Sequence, residues 1–148
     1  MIYEESGLRI KFKQGYTIYK LDKEDIYKGL SHLMACVDFL VLANERIYLI
    51  EVKRIDYFYK ESAGANIHTK LAKKFIDSLF LCNCLGICYR EVIFCVVVNG
   101  KIDQINNLKE PTMEQLRNLS EKCNVKILIL GPKEAEKHLS VFEDIQVI

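Results

Sequence analysis

Hydrophobic residues recur along the chain with two periods, and these periods predict where strands and helices lie. Leu8–Phe12 alternates between apolar and polar residues, and Tyr16–Lys20 has strand character as well. Ile93–Val98 is apolar at every position, which is typical of a strand covered on both faces of its sheet. In Ile67–Leu85 the apolar residues return every three or four positions, so this segment predicts an amphipathic helix.

The remaining elements are predicted from shorter patterns, and they alternate between strand and helix. Strands are predicted at about Cys36–Ala43, Arg46–Ile55, Glu91–Asn99 and Val125–Leu130, and helices at about Asp25–Met34, Thr112–Cys123 and Lys133–Leu139. Tyr57–Asn66 is predicted to be a loop, and the tail Val141–Ile148 fits neither period. Helices that alternate with apolar strands favour an α/β fold whose mixed sheet is flanked by helices on both faces.

Composition agrees with one globular domain and excludes few functions. The chain has 148 residues, half of them hydrophobic, and its 21 basic residues nearly balance 20 acidic ones. No global field indicates a nucleic-acid partner, although a local basic patch is compatible with this balance. Met1–Glu5 does not resemble a signal peptide, and no apolar run reaches the roughly 20 residues of a membrane span. We therefore expect a cytoplasmic protein that does not enter membranes.

Cysteines gather in one part of the sequence and raise the question of a metal centre. Four of the six, Cys82, Cys84, Cys88 and Cys95, fall within a short stretch. Their spacing lacks the C-x-x-C pair of zinc sites, and free cysteine is also a common small core residue. An iron–sulfur or zinc site and a set of buried thiols are the two interpretations.

Charged residues interrupt two apolar strands at Asp38, Glu51 and Lys53. Buried strands rarely carry charge unless that charge is paired or binds a metal. A hairpin that turns at Asn44-Glu45 would pair Ala43 with Arg46 and, further out, Asp38 with Glu51. Lys53 shares the face of Glu51 because side chains alternate along a strand.

Two like charges on directly opposed residues destabilise a sheet, so this hairpin needs a compensating cation. Magnesium fits, because it takes a few carboxylates, keeps several waters and accepts phosphate oxygens as further ligands. The alternative is a partly exposed ion-pair ladder on an edge hairpin, with Lys53 serving structure alone. Apolar neighbours on both strands favour the metal site.

Asp38, followed after twelve residues by Glu51-Val52-Lys53, resembles the motif of the PD-(D/E)xK nuclease superfamily, which includes restriction endonucleases and archaeal Holliday-junction resolvases. The resemblance spans roughly Tyr16–Asn99 and implies a restriction-endonuclease-like fold. It implies that Asp38 and Glu51 bind magnesium, with the Val52 carbonyl as a possible third ligand, and that Lys53 is the catalytic lysine. Val37 stands where the family has its proline.

The resemblance also suggests accessory residues. Family members open with a helix that carries a glutamate, a role for which Glu5 is a candidate beside other early acidic residues. Lys70 or Lys73 would supply the cationic residue that often follows on the next helix. His32 could assist proton transfer or contact phosphate, although a surface histidine is the simpler interpretation. Further phosphate contacts could come from Lys28, Ser31, Arg54, Lys60 and Lys74.

The leading expectation is a nuclease that depends on Mg²⁺ or Mn²⁺ and acts on DNA. A homodimer is compatible with this expectation, because a domain of 148 residues has little surface for both strands of a duplex. The alternative is a catalytically inactive module of the same fold that binds nucleic acid or protein.

Overall fold

The computed structural model of the chain describes residues 1–21, 33–60 and 67–148. Its strands are β1 (Ile2–Glu5), β2 (Leu8–Phe12), β3 (Thr17–Lys20), β4 (Phe39–Ala43), β5 (Arg46–Arg54), β6 (Glu91–Asn99), β7 (Lys126–Leu130) and β8 (Phe142–Val147). Its helices are α1 (Ile55–Lys60), α2 (Ile67–Cys84), α3 (Ile102–Cys123) and α4 (Pro132–His138).

A mixed five-stranded sheet with the order β3-β4-β5-β6-β7 forms the centre of the structure. The pairs β3–β4 and β4–β5 are antiparallel, whereas the pairs β5–β6 and β6–β7 are parallel. Parallel neighbours need a crossover connection, and α2 and α3 supply the two crossovers. The α/β prediction and its mixed sheet are confirmed.

Two hydrophobic cores lie on the two faces of this sheet. Alternation along β5 sends Ile47 and Leu49 into the core beneath α2 and α3, and sends Tyr48 and Ile50 into the opposite core. That second core is closed by α4 and by an antiparallel three-stranded sheet of order β1-β2-β8. Helices therefore cover both faces as expected, but one face is covered by the second sheet as well as by α4.

The structure corrects two predicted elements. Tyr57–Lys60 belongs to helix α1 and not to a loop, and α3 begins ten residues before Thr112. The apolar stripe of α3 explains the second error, because Ile105 and Leu108 continue the buried face of the predicted helix on the far side of Pro111. Pro111, which directly precedes the predicted start, lies inside this helix.

The chain termini contribute strands that the hydrophobic pattern left unassigned. β1 pairs with β2, and β8 pairs with the other side of β2, so the ambiguous tail completes the smaller sheet. The predicted helix at Asp25–Met34 falls mainly outside the described residues, as does the second half of the predicted loop. Across the described ranges, no helix combines the length and the apolar composition needed to cross a membrane.

Candidate active site

The β4–β5 hairpin has the register that the sequence predicted. Ala43 pairs with Arg46 and Phe39 pairs with Ile50, so the next opposed position beyond the end of β4 brings Asp38 to Glu51. β5 continues past β4, and the backbone of Val52 needs partners from elsewhere. Asp38 Oδ2 accepts the Val52 N–H at 2.8 Å, and the Ser6 hydroxyl donates to the Val52 carbonyl at 3.0 Å.

Glu51 is the most unusual side chain of the site because it is a fully buried carboxylate on the α2 face of the sheet. Its Oε1 receives two ammonium groups, from Lys53 at 3.1 Å and from Lys74 of α2 at 3.0 Å. Its Oε2 is also buried and has no hydrogen-bond partner among the described residues. An unsatisfied carboxylate oxygen in a protein interior is costly, so its presence points to a missing ligand.

A second group of charges surrounds Asp38. Lys20, at the end of β3, is almost fully buried and places its Nζ 2.8 Å from Glu5 Oε2 and 3.7 Å from Asp38 Oδ1. Glu5 comes from the end of β1, so the smaller sheet contributes to the site. The predicted glutamate thus lies beside Asp38, but it belongs to a strand and not to a helix.

The electrostatics of the site are dominated by burial. Desolvation, with added repulsion from Glu51, raises the pKa of Asp38 to about 7, against the opposing hydrogen bond from Val52. Burial lowers the pKa of Lys53, but attraction to Glu51 and Asp38 outweighs it and leaves this pKa above its usual value. Lys53 therefore stays an ammonium group at neutral pH and serves as a cation and a donor.

Helix α2 fixes the segment that leads into Asp38. Asp77 Oδ2 accepts the Ala35 N–H at 2.8 Å, and Ser78 Oγ accepts the Val37 N–H at 2.9 Å. Because Lys74 lies one turn earlier on the same helix, α2 both contacts Glu51 and holds the approach to Asp38. Helix α2 thus positions both Glu51 and the segment before Asp38.

The α2 lysine that contacts Glu51 is neither of the two that the resemblance suggested, Lys70 and Lys73. Lys73 is mostly exposed and pairs with Asp77 at 2.6 Å, and Lys70 is exposed as well. Lys74 is the α2 lysine that reaches Glu51, although the sequence suggested it only as one of several phosphate contacts. His32 lies outside the described residues, so its predicted role stays a prediction.

Sequence reasoning missed Ser6 and Lys20. Ser6 lies in the β1–β2 turn with φ of 50°, and this turn reaches β5 only through the three-dimensional packing of the two sheets. Lys20 could have been predicted from the sequence, because it ends a predicted strand. Pairing that strand with β4 puts Lys20 opposite Phe39, next to Asp38.

The cysteines do not assemble into one centre. Cys82 packs in the core beneath α2, Cys95 packs in the core on the other face of the sheet, and Cys84 and Cys88 are exposed. Burial raises the pKa of Cys82 to about 11 and also raises the pKa of Cys95. These two are inert core thiols at neutral pH and agree with the second interpretation, whereas the exposed Cys84 and Cys88 do not.

Two adjoining clefts of about 440 and 390 Å³ lie at the opposite end of the sheet, around Arg46 and Tyr48. Two ion pairs lie on their rims, Arg46 with Glu91 and Arg90 with Glu45. Among the described residues that line them, none has a buried polar side-chain atom without a partner, as Glu51 has. We therefore place the candidate chemistry at the Asp38–Glu51 end of the sheet.

The donor set fits a hard divalent cation that is bound through few protein ligands. Glu51 Oε2 has no hydrogen-bond partner within the described part of the chain. Asp38 Oδ1 lies 3.7 Å from the Lys20 ammonium, which is longer than a hydrogen bond. Magnesium is commonly bound by one or two carboxylates while water and substrate phosphate complete its shell. In residues 1–21, 33–60 and 67–148, no group of three or more aspartate, glutamate, histidine or cysteine side chains is placed so that it could hold a metal ion.

Comparison with known proteins adds no assignment. No protein-family model matches the chain. No curated protein and no solved structure is significantly similar to it.

Proposed function

We propose that the chain is a metal-dependent phosphodiesterase that hydrolyses DNA, with Asp38, Glu51 and Lys53 at its centre. One observation carries the proposal: Glu51 is fully buried, and one of its oxygens has no partner within the described residues. The motif resemblance and the confirmed hairpin register support it. The reaction adds water across a P–O bond and leaves a phosphomonoester and a free hydroxyl.

The carboxylates would hold Mg²⁺ or Mn²⁺ through Glu51 Oε2 and Asp38 Oδ1, with the Val52 carbonyl as a further candidate ligand. The bound cation would polarise a phosphoryl oxygen and lower the pKa of a nearby water. Lys53 stays protonated and lies 3.1 Å from Glu51 Oε1, so it can donate to a phosphate oxygen as negative charge develops. Its Nζ also lies 4.8 Å from the centre of the Tyr57 ring, which limits where the ammonium can point.

The alternative is a module of the same fold that binds nucleic acid or protein without cutting. It is favoured by the balance of charge at the site, because Glu5 and Glu51 each have a lysine ammonium at hydrogen-bonding distance. In such a cluster the lysines compensate the carboxylate charge, so neutrality does not require a metal ion.

Cleavage assays with purified protein separate the two functions. We expect magnesium or manganese to support cutting of DNA, and expect Asp38→Ala, Glu51→Ala and Lys53→Ala each to lower the rate by at least about 100-fold, the scale of a lost electrostatic or acid–base contribution. Junctions, flaps, plain duplex and RNA should be compared as substrates. Lys73→Ala is the matched control, since Lys73 is exposed and contacts Asp77 instead of Glu51.

Activity that survives in all three site variants would contradict the site. Wild-type protein that binds DNA, and cuts none of these substrates with either metal, would favour the binding module.

A further inference from the structure

We propose that Lys20 is a built-in cation that restricts this site to one divalent ion. This inference rests on the proposed function, because it concerns how many metal ions the same carboxylates accept. It is carried by the position of the Lys20 ammonium between Glu5 and Asp38. Lys20 lies outside the motif that suggested the site.

The ammonium of Lys20 is held in place from several directions. Its side chain is 4% exposed, and its Nζ lies 2.8 Å from Glu5 Oε2 and 3.7 Å from Asp38 Oδ1. The same nitrogen lies 4.8 Å above the ring of Phe39, its partner across the β3–β4 ladder. A lysine on a paired strand, packed on an aromatic ring, has little freedom to withdraw.

Glu5 and Asp38 are the pair of carboxylates that a second ion would need. Magnesium requires oxygen ligands at about 2.0–2.1 Å, a distance that leaves no room for an ammonium group between the same two carboxylates. A divalent ion would also meet direct repulsion from a positive charge shielded from water. Displacing Lys20 would leave its charge buried and unpaired, which is strongly unfavourable.

The Glu51 side of the site is arranged differently. Lys53 and Lys74 both approach Oε1, and Oε2 is left without a partner in the described part of the molecule. The oxygen left for a cation on this side is Glu51 Oε2, whereas the Lys20 ammonium already contacts both Glu5 and Asp38. In enzymes with two metal ions about 3.5–4 Å apart, the second ion stabilises one of the two oxygens of the displacement. Here a fixed ammonium supplies that positive charge.

Counting bound Mn²⁺ tests this directly, by electron paramagnetic resonance of free Mn²⁺ and by calorimetric titration without DNA. We expect the wild type to bind one ion per chain. Lys20→Met should bind two, because Glu5 and Asp38 become available to a second ion. The double variant Glu5→Gln/Lys20→Met should return to one.

Lys11→Met is the matched control, because Lys11 is a strand lysine whose ion pair with Glu143 is exposed. It should keep the wild-type stoichiometry. Circular dichroism would show whether each variant is folded, and Lys20→Gln replaces Lys20→Met if the latter is not.

Two ions bound by the wild type would overturn the inference and leave the proposed function standing. One ion bound by folded Lys20→Met and Lys20→Gln would also overturn it, since Lys20 would then exclude nothing. Wild-type protein that binds no ion would contradict both proposals.

Discussion

At the scale of single residues, the two oxygens of Asp38 make different contacts. Its Oδ2 accepts the Val52 N–H and so replaces the missing β4 partner of β5. Its Oδ1 faces the Lys20 ammonium at 3.7 Å, longer than a hydrogen bond. One oxygen of this carboxylate thus serves the sheet, while the other faces a cation of the protein itself.

The raised pKa of Asp38 predicts how stability depends on pH. The carboxyl titrates near pH 7 in the folded chain and near its ordinary value of 3.8 when unfolded. Between these values the folded state binds more protons, so this group makes the free energy of unfolding fall as pH rises, by at most about 1.4 kcal/mol per pH unit. Below about pH 4 the stabilising contribution of protonated Asp38 is fully present, and above about pH 7 it is lost.

Urea unfolding of the wild type and Asp38→Asn at a series of pH values measures this effect. The variant should lose the part of the pH dependence between about pH 4 and 7, and saturating Mn²⁺ should reduce the dependence in the wild type by favouring the ionised carboxylate. Asp103→Asn, an exposed position on α3, should leave the curve unchanged. Identical pH curves for wild type and Asp38→Asn would contradict the assignment.

At the scale of elements, the candidate site is assembled by α2 and the β4–β5 hairpin, and these were the elements that sequence predicted best. Register followed from the turn at Asn44-Glu45, because both strands are apolar on both faces and their hydrophobic pattern alone does not distinguish neighbouring registers. The lysine of α2 could not be chosen in advance, since Lys70, Lys73 and Lys74 all lie in its polar remainder. The helix rotation that selects Lys74 depends on how Leu71 and Phe75 pack in the core.

The hydrogen bond from the Val37 N–H to Ser78 allows a test of how strongly α2 positions Asp38. Ser78→Ala removes the acceptor of the Val37 N–H, and leaving this buried amide unpaired should lower the free energy of unfolding by about 1–3 kcal/mol. Because Val37 directly precedes Asp38, the affinity for Mn²⁺ should fall as well. A loss of about 1.4 kcal/mol of binding free energy corresponds to a roughly 10-fold lower affinity.

Ser120→Ala on α3 is the matched control, because Ser120 donates to the Val125 carbonyl at 2.7 Å far along the chain from the site. It should be destabilised by about 1 kcal/mol, the usual value of one such bond, with unchanged Mn²⁺ affinity. Equal Mn²⁺ affinities for the two folded variants would show that the α2 tether does not position Asp38.

At the scale of the whole molecule, the smaller sheet is what sequence reasoning lacked. Leu8–Phe12 was recognised as a strand, but nothing local shows that Phe142–Val147 returns to pair with it across most of the chain. This long-range pairing brings Glu5 and Ser6 to the end of β5, where the Asn99 side chain donates to the Ser6 carbonyl at 3.0 Å. Of the two candidate-site residues that sequence reasoning missed, Ser6 is delivered by this second sheet, whereas Lys20 comes from β3 of the large sheet.

The packing between the sheets predicts that they unfold as one unit. Phe12 of β2 stacks on Phe142 of β8 with ring centroids 5.3 Å apart, and it meets the edge of Phe39 of β4 at the same distance. Phe12→Ala should therefore lower the free energy of unfolding by about 3–5 kcal/mol. Since Phe39 directly follows Asp38, the loss should be shared by the large sheet and the site.

Urea unfolding followed by far-ultraviolet circular dichroism, tyrosine fluorescence and Mn²⁺ binding measures this sharing, because the chain contains eight tyrosines and no tryptophan. All three signals should give one midpoint in the wild type, and a single lower midpoint in Phe12→Ala. Ile2→Ala, an exposed position on the edge strand β1, should change stability by less than about 0.5 kcal/mol. If Phe12→Ala instead lost part of its circular dichroism early and still bound Mn²⁺, the smaller sheet would be a separate unit and Glu5 would be dispensable for the metal site.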